Sequence, residues 1–140
     1  MKQILVDTNV LVSFLTDRNK EQQEQAGALF RSAAAGEHIV LLHQMALSEM
    51  VFVLLNVYHV STEEIAETLQ DLLAMPGTAA IDELSWLVLL DLWPDKIPSF
   101  VDAALAAVGR HLRCDAVASF DDKLLRRLKR QGLTTYWDPV

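Results

Sequence analysis

Four acidic side chains stand where an acid is out of keeping with its surroundings. Asp7 directly follows the apolar run Ile4-Leu5-Val6, and Asp121 comes two residues after the run Ala116-Val117-Ala118-Ser119. Glu49 lies within Met45-Ala46-Leu47-Ser48-Glu49-Met50-Val51-Phe52, and Asp102 within Phe100-Val101-Asp102-Ala103-Ala104-Leu105. An unpaired carboxylate in so apolar a setting takes up a proton or finds a cation. If the four converge, their mutual repulsion requires a positive partner, and few bases lie near Glu49 or Asp102 in sequence. A divalent metal with oxygen ligands meets that need. Mg²⁺ takes one or two carboxylates together with water and substrate phosphate. Such a centre suits phosphoryl chemistry, because it polarises a phosphate, makes hydroxide from water and steadies the leaving oxygen.

Plainer readings stand beside this one. Asp7 is placed to cap the helix that follows it, and Asp121 or Asp122 to cap the last helix. Asp102 falls in a first helical turn, where an anion suits the helix dipole. Glu49 has no capping role to play. Nucleophilic catalysis finds little support: the single cysteine, Cys114, sits between Arg113 and Asp115 and reads as a packing residue. His38, His43, His59 and His111 are scattered, with only His43 at a strand end. Trp86, Trp93 and Trp137 read as core or interface residues.

The elements that must position these acids follow from hydrophobic periodicity. Short apolar runs predict strands over residues 4–6, 39–42, 78–81, 116–119 and 133–137. Helical spacing predicts helices over 9–15, 21–35, 44–58, 62–74, from 82 or 83 to 92, 99–112 and 121–130. Ser61 with Glu64 forms a capping signature, and Gly36 stands where a C-cap belongs. The helix of residues 44–58 is apolar all round and so is expected to be buried. Short apolar strands alternating with helices predict a parallel sheet covered on both faces, a three-layer α/β/α sandwich built as one domain over residues 1–140. In such sheets ligands bind beyond the carboxyl ends of the strands. Asp7, His43, Asp82 and Asp121 fall there. Glu49, six residues beyond His43, lies roughly 9 Å along its helix at 1.5 Å per residue.

Composition bounds the function. A chain of 140 residues, 51% hydrophobic and 22% charged, can build a core and is not disordered. One cysteine excludes an internal disulfide and a cysteine-rich zinc site. Met1-Lys2-Gln3 leads into an apolar run too short for a signal peptide, and the longest apolar stretch contains Glu49 and falls below the ~18 residues of a membrane span. A cytoplasmic protein without membrane association is expected. The net charge of −7 looks wrong for a nucleic-acid binder, but it is unevenly spread. Residues 1–100 hold 5 basic and 14 acidic side chains, a balance of −9, whereas residues 101–140 hold 7 and 5, a balance of +2. Arg126, Arg127, Lys129 and Arg130 form one run, which reads either as a solvated last helix or as an RNA-facing patch.

Val6-Asp7-Thr8-Asn9 after the first strand, Ser48-Glu49 in the third helix, Val101-Asp102 in an Ala-rich helix and Ala118-Ser119-Phe120-Asp121 after a strand resemble the PIN domain. A small chain of this kind is similar to the VapC-type toxins of toxin–antitoxin pairs. The resemblance implies a five-stranded parallel sheet in the order 3-2-1-4-5 and a metal-dependent endoribonuclease. It implies Asp7, Glu49, Asp102 and Asp121 as catalytic acids around Mg²⁺ or Mn²⁺, with Asn9 and Ser119 in support and Asp122 as an outer ligand or cap. It also implies an RNA substrate, a cognate antitoxin and a homodimer. Arg110, Arg113, Arg126, Arg127 and Arg130 are the candidate RNA contacts. The rival reading is a non-catalytic or degenerate PIN-like module whose acids only bind metal. A haloacid-dehalogenase-like phosphatase needs a second Asp two residues after the first, where Asn9 stands.

Overall fold

A computed structural model describes residues 1–140. Its elements run β1 (Lys2–Val6), α1 (Thr8–Leu15), α2 (Lys20–Ala34), β2 (His38–His43), α3 (Gln44–Asn56), α4 (Thr62–Ala74), β3 (Thr78–Ile81), α5 (Trp86–Leu92), α6 (Phe100–His111), β4 (Ala116–Ala118) and α7 (Asp122–Arg130). The strands form one parallel sheet in the order β3-β2-β1-β4, with Leu5 opposite Leu41 on one side and Val117 on the other.

Strand alternation divides the apolar residues between two cores. Ile4, Val6, Val40, Leu42, Ala116 and Ala118 face one side, where Val10, Leu11, Phe30 and Met50 from α1, α2 and α3 cover them. Leu5, Leu41 and Val117 face the other, beneath Ala104, Val108, Leu124 and Leu128 from α6 and α7. Strands buried on both faces are what a parallel sheet requires. The α6 helix lies close on this second face: a Cβ on Gly109 would come 3.2 Å from Val117 Cγ2. No helix is long and apolar enough to cross a membrane.

Three sequence expectations need correction. The expected fifth strand at residues 133–137 is a single parallel bridge, Val117 to Thr135, made as Val117 N–H donates to Thr134 O and Tyr136 N–H to Val117 O, both at 2.9 Å. The β4 strand is only three residues long, so little ladder is on offer. Beyond the bridge, Trp137 turns to stack on Phe120 at 4.6 Å, and Pro139 has no N–H to extend pairing. The α5 helix begins at Trp86, not at residue 82 or 83, because the Ser85 hydroxyl caps it by accepting from Val88 N–H. Lastly, α3 is buried on one face only. Ala46, Met50 and Leu54 pack inward, whereas Phe52 and Leu55 are 63% and 40% exposed. In the α4 helix Ile65 and Leu72 are core residues, whereas Leu73 is half exposed.

Gly77 fixes the turn from α4 into β3. Its φ is +82°, and a Cβ there would lie 2.2 Å from the Ala33 carbonyl oxygen. Its own carbonyl accepts Val40 N–H at 2.8 Å. Gly77→Ala should therefore cost more than the ~1 kcal/mol of a strained φ alone, and a loss of at least 2 kcal/mol is expected in urea unfolding. An unchanged midpoint would contradict the backbone geometry described here.

Candidate active site

Asp7 ends β1 and caps α1 at once. One carboxylate oxygen accepts Thr8 N–H at 2.8 Å. The other accepts the Ser119 hydroxyl at 2.8 Å and the Asn9 amide at 3.1 Å. Ser119 follows β4 directly and is fully buried. Its oxygen also receives the Asn9 amide at 3.1 Å and Asp121 N–H at 3.1 Å. The Asn9 carbonyl oxygen in turn accepts Phe120 N–H at 3.0 Å, which sets the amide's orientation. Asp7 N–H continues the ladder by donating to Ala118 O at 2.9 Å. The ends of β1 and β4 are thus tied together through the side chains of Asp7, Asn9 and Ser119.

The other acids arrive on helices. Asp121 caps α7, one oxygen accepting Leu124 N–H at 3.1 Å. Asp102 lies in the first turn of α6, which Ser99 caps. Glu49 lies on the exposed side of α3, and one of its oxygens accepts the Thr8 hydroxyl at 3.2 Å. A buried lone acid was expected there; the half-buried helix instead leaves Glu49 at a solvent edge. All four acids, with Asn9 and Arg18, line one open cavity of about 370 Å³ at the carboxyl end of the sheet. Asp7 and Asp121 thus cap their helices through one carboxylate oxygen each and also border the shared cavity.

Electrostatics record the crowding. Burial pushes the Asp7 carboxyl up to about 6; the Ser119 and Thr8 hydrogen bonds oppose this, and Asp102 and Glu49 add to it. Asp102 is raised by burial and by Asp121 and Glu49, against Arg127 and Ser99. No three His, Cys, Asp or Glu side chains stand close enough to enclose an ion by themselves. An all-oxygen set of spaced carboxylates, one of them desolvated and short of positive charge, fits a hydrated divalent cation that takes few protein ligands. It does not fit a closed protein cage.

The supporting residues sort themselves clearly. Asn9 and Ser119 are in the Asp7 network. Asp122 is outside the acid cavity; it accepts Val140 N–H at 3.1 Å and lines a neighbouring groove. Among the candidate RNA contacts, Arg127 alone borders the acids, in a cavity that shares Asp102 and Asp121. Arg110 pairs with Asp91 at 3.5 Å and donates to Gln131 O, and Arg126 donates to Val140 O. Arg113 and Arg130 line neither cavity. His43 is buried and structural: Nδ1 accepts Met45 N–H, so Nε2 carries the proton and donates to Glu83 O. Thr8, Ser99 and Arg18 were not singled out from sequence. Thr8 adjoins Asp7, and Ser99 stands three residues before Asp102 as a cap would, but nothing local to Arg18 marks it.

A family model for the PIN domain matches residues 4–131. Among solved structures, that of Mycobacterium tuberculosis VapC20, described as a Sarcin-Ricin loop cleaving toxin, is similar in fold. Its TM-score is 0.65 at 18% sequence identity, covering 94% of this chain and 96% of that one. No curated protein sequence matches the chain.

The raised carboxyl has a consequence for stability. A group whose acid form is favoured by folding loses stability for the protein as pH climbs from the unfolded value of 3.8 to about 6. In chelator, Asp7→Asn should raise stability at pH 7.5 by on the order of 2 kcal/mol, with the gain fading toward pH 4. Thermal melts across that range would contradict this by showing a pH-independent difference.

Proposed function

The chain belongs to the PIN domain family, and on that premise we propose that it is a metal-dependent endoribonuclease, the toxin of a toxin–antitoxin pair. The observation that carries the proposal is the convergence of Asp7, Glu49, Asp102 and Asp121 on one cavity beyond the strand ends. In this reading Asp7, Asp102 and Asp121 hold Mg²⁺ or Mn²⁺ directly or through water. When bound, such an ion supplies a polarised phosphate and a water whose proton is easily lost.

The protein's own groups then divide the work. Ser119, Asn9 and Thr8 N–H hold the Asp7 carboxylate in one orientation before any ligand arrives. Preorganisation of this kind lowers the cost of assembling the reactive geometry. Glu49 is anchored through one oxygen by Thr8, which leaves the other to orient or deprotonate the attacking water, or to help hold a second ion. The reaction is hydrolysis of an RNA phosphodiester in the cytoplasm, with water as nucleophile and a sugar oxygen as leaving group. A cognate antitoxin is the proposed inhibitor. A homodimer is proposed through Trp86, Leu87 and Leu90, which are 60%, 85% and 60% exposed on one short helix. Apolar exposure concentrated in this way marks an interface.

Incubating purified protein with total RNA, with and without Mn²⁺, and mapping the cut ends tests the activity. Discrete cuts that vanish with chelator are expected, as is their loss in Asp7→Asn at unchanged or higher melting temperature. Metal-independent cutting, or full activity of that variant, would overturn the assignment. Glu49→Gln should lower Mn²⁺ affinity in calorimetry without lowering metal-free stability, since it removes one repelling charge. For the dimer, Leu87→Asp should convert a two-chain species to a one-chain species in sedimentation; a wild-type monomer at micromolar concentration would rule the interface out.

A further inference from the structure

Arg18 is a cation placed among anions yet paired with none of them. It lines the acid cavity, but its Nε donates to Ser13 Oγ at 3.2 Å and one terminal nitrogen to Asn9 O at 3.4 Å. Ser13 is fully buried and donates to Gln22 Oε1 at 3.1 Å, so the arginine stem is held from α1 and α2 by neutral partners. None of the chain's ion pairs involves it. The guanidinium has five N–H donors, and these contacts engage only two.

A second cavity adjoins the first at two of these acids, Asp102 and Asp121. It shares Ser99, Asp102 and Asp121 with the first and is walled by Lys123 and Arg127 of α7. These two cations also take part in no ion pair. Lys129, two residues beyond Arg127, is by contrast committed to Asp138 at 2.8 Å. The two cavities adjoin along Ser99, Asp102 and Asp121 as one trough, with Arg18 lining only the first part and Lys123 and Arg127 only the second.

We propose that this trough is a track for single-stranded RNA, in which Arg18 takes a phosphate on one side of the cleaved bond and Lys123 with Arg127 takes a phosphate on the other. The inference deepens the ribonuclease reading and rests on it. Arginine is suited to this task because its planar fork meets two phosphate oxygens together. A chain of net charge −7 repels RNA as a whole, so affinity must come from a few local contacts, and these flank the reacting bond. Arg18 and Arg127 act as positioning residues: they set where the backbone lies and take no part in bond breaking.

Binding of a fluorescent 12-nucleotide single-stranded RNA to the Asp7→Asn protein, measured by anisotropy over a range of salt, tests the track. Arg18→Gln and Arg127→Gln should each weaken binding about fivefold or more. Each should also flatten the plot of log affinity against log salt by about 0.7, the contribution of one phosphate contact to a single strand. Arg18→Lys should restore most of the slope. In the uncompromised enzyme, the same substitutions should raise KM for RNA and leave kcat within twofold. Unchanged affinity and slope in both Gln variants overturns the track while leaving the nuclease reading intact. Salt-sensitive binding that the variants weaken, in a wild-type protein that cuts nothing, overturns the nuclease reading and keeps the track. If the variants weaken binding only of an oligoglutamate peptide, the trough is a protein-docking surface and the inference fails. If the chain binds no RNA at all, both fail.

Discussion

A carboxylate held against its preference is the point on which this molecule turns. Asp7 is drawn out of water at the end of a buried strand, and two other acids face it from helices α3 and α6. Desolvation and repulsion both favour its neutral form. Three hydrogen bonds, from Thr8 N–H, Asn9 and Ser119, keep it in place nonetheless. The same bonds join β1, α1 and β4, so the tie that positions the acid also fastens the carboxyl ends of two neighbouring strands. The crowded acids lie at the rim, and an apolar cluster fills the core on each face of the sheet.

That division of labour explains where polar groups are found. Among the few buried polar residues, Thr8, His43 and Ser119 all stand at the carboxyl end of the sheet. Each has a hydrogen-bond partner there: Thr8 with Glu49, His43 with Met45 and Glu83, Ser119 with Asp7. Buried polar groups without partners are costly, so these bonds are a condition for having a reactive rim on a small sheet at all. They also leave little freedom for the acids to relax apart when no cation is present.

The positive charges show the complementary logic. Much of the C-terminal basic cluster serves the fold: Arg110 fastens α6 to the α7 turn and to α5, Arg126 holds the chain's end, and Lys129 pairs with Asp138. Of the cations near the acids, Arg18 is held by neutral acceptors, and Arg127 shares a cavity with Asp102 and Asp121 without an ion pair to either. A full neutralisation by arginine would make the cavity blind to a metal or a phosphate. A partial one lowers repulsion while leaving the carboxylates available.

Much of this was legible in the residues themselves. Apolar runs of three to six residues bounded by polar ones can bury both faces only in a covered parallel sheet, so β1 to β4 and the helices between them follow from local pattern. The acids stood out because an ionised group is expensive in an apolar segment, and Ser61 and Asp7 announced themselves as caps by position. Contacts between distant segments were not legible. Periodicity could not say that α3 packs on one face and leaves Glu49 at a wet edge, since an all-apolar helix has no marked side. The fate of residues 133–137 depended on the shortness of β4 and the pull of Phe120 on Trp137, both set elsewhere in the chain. Which arginine borders the acids was likewise decided in three dimensions: Arg18 is eleven residues from Asp7 and more than eighty from Asp102, and only folding brings it to the cavity they share.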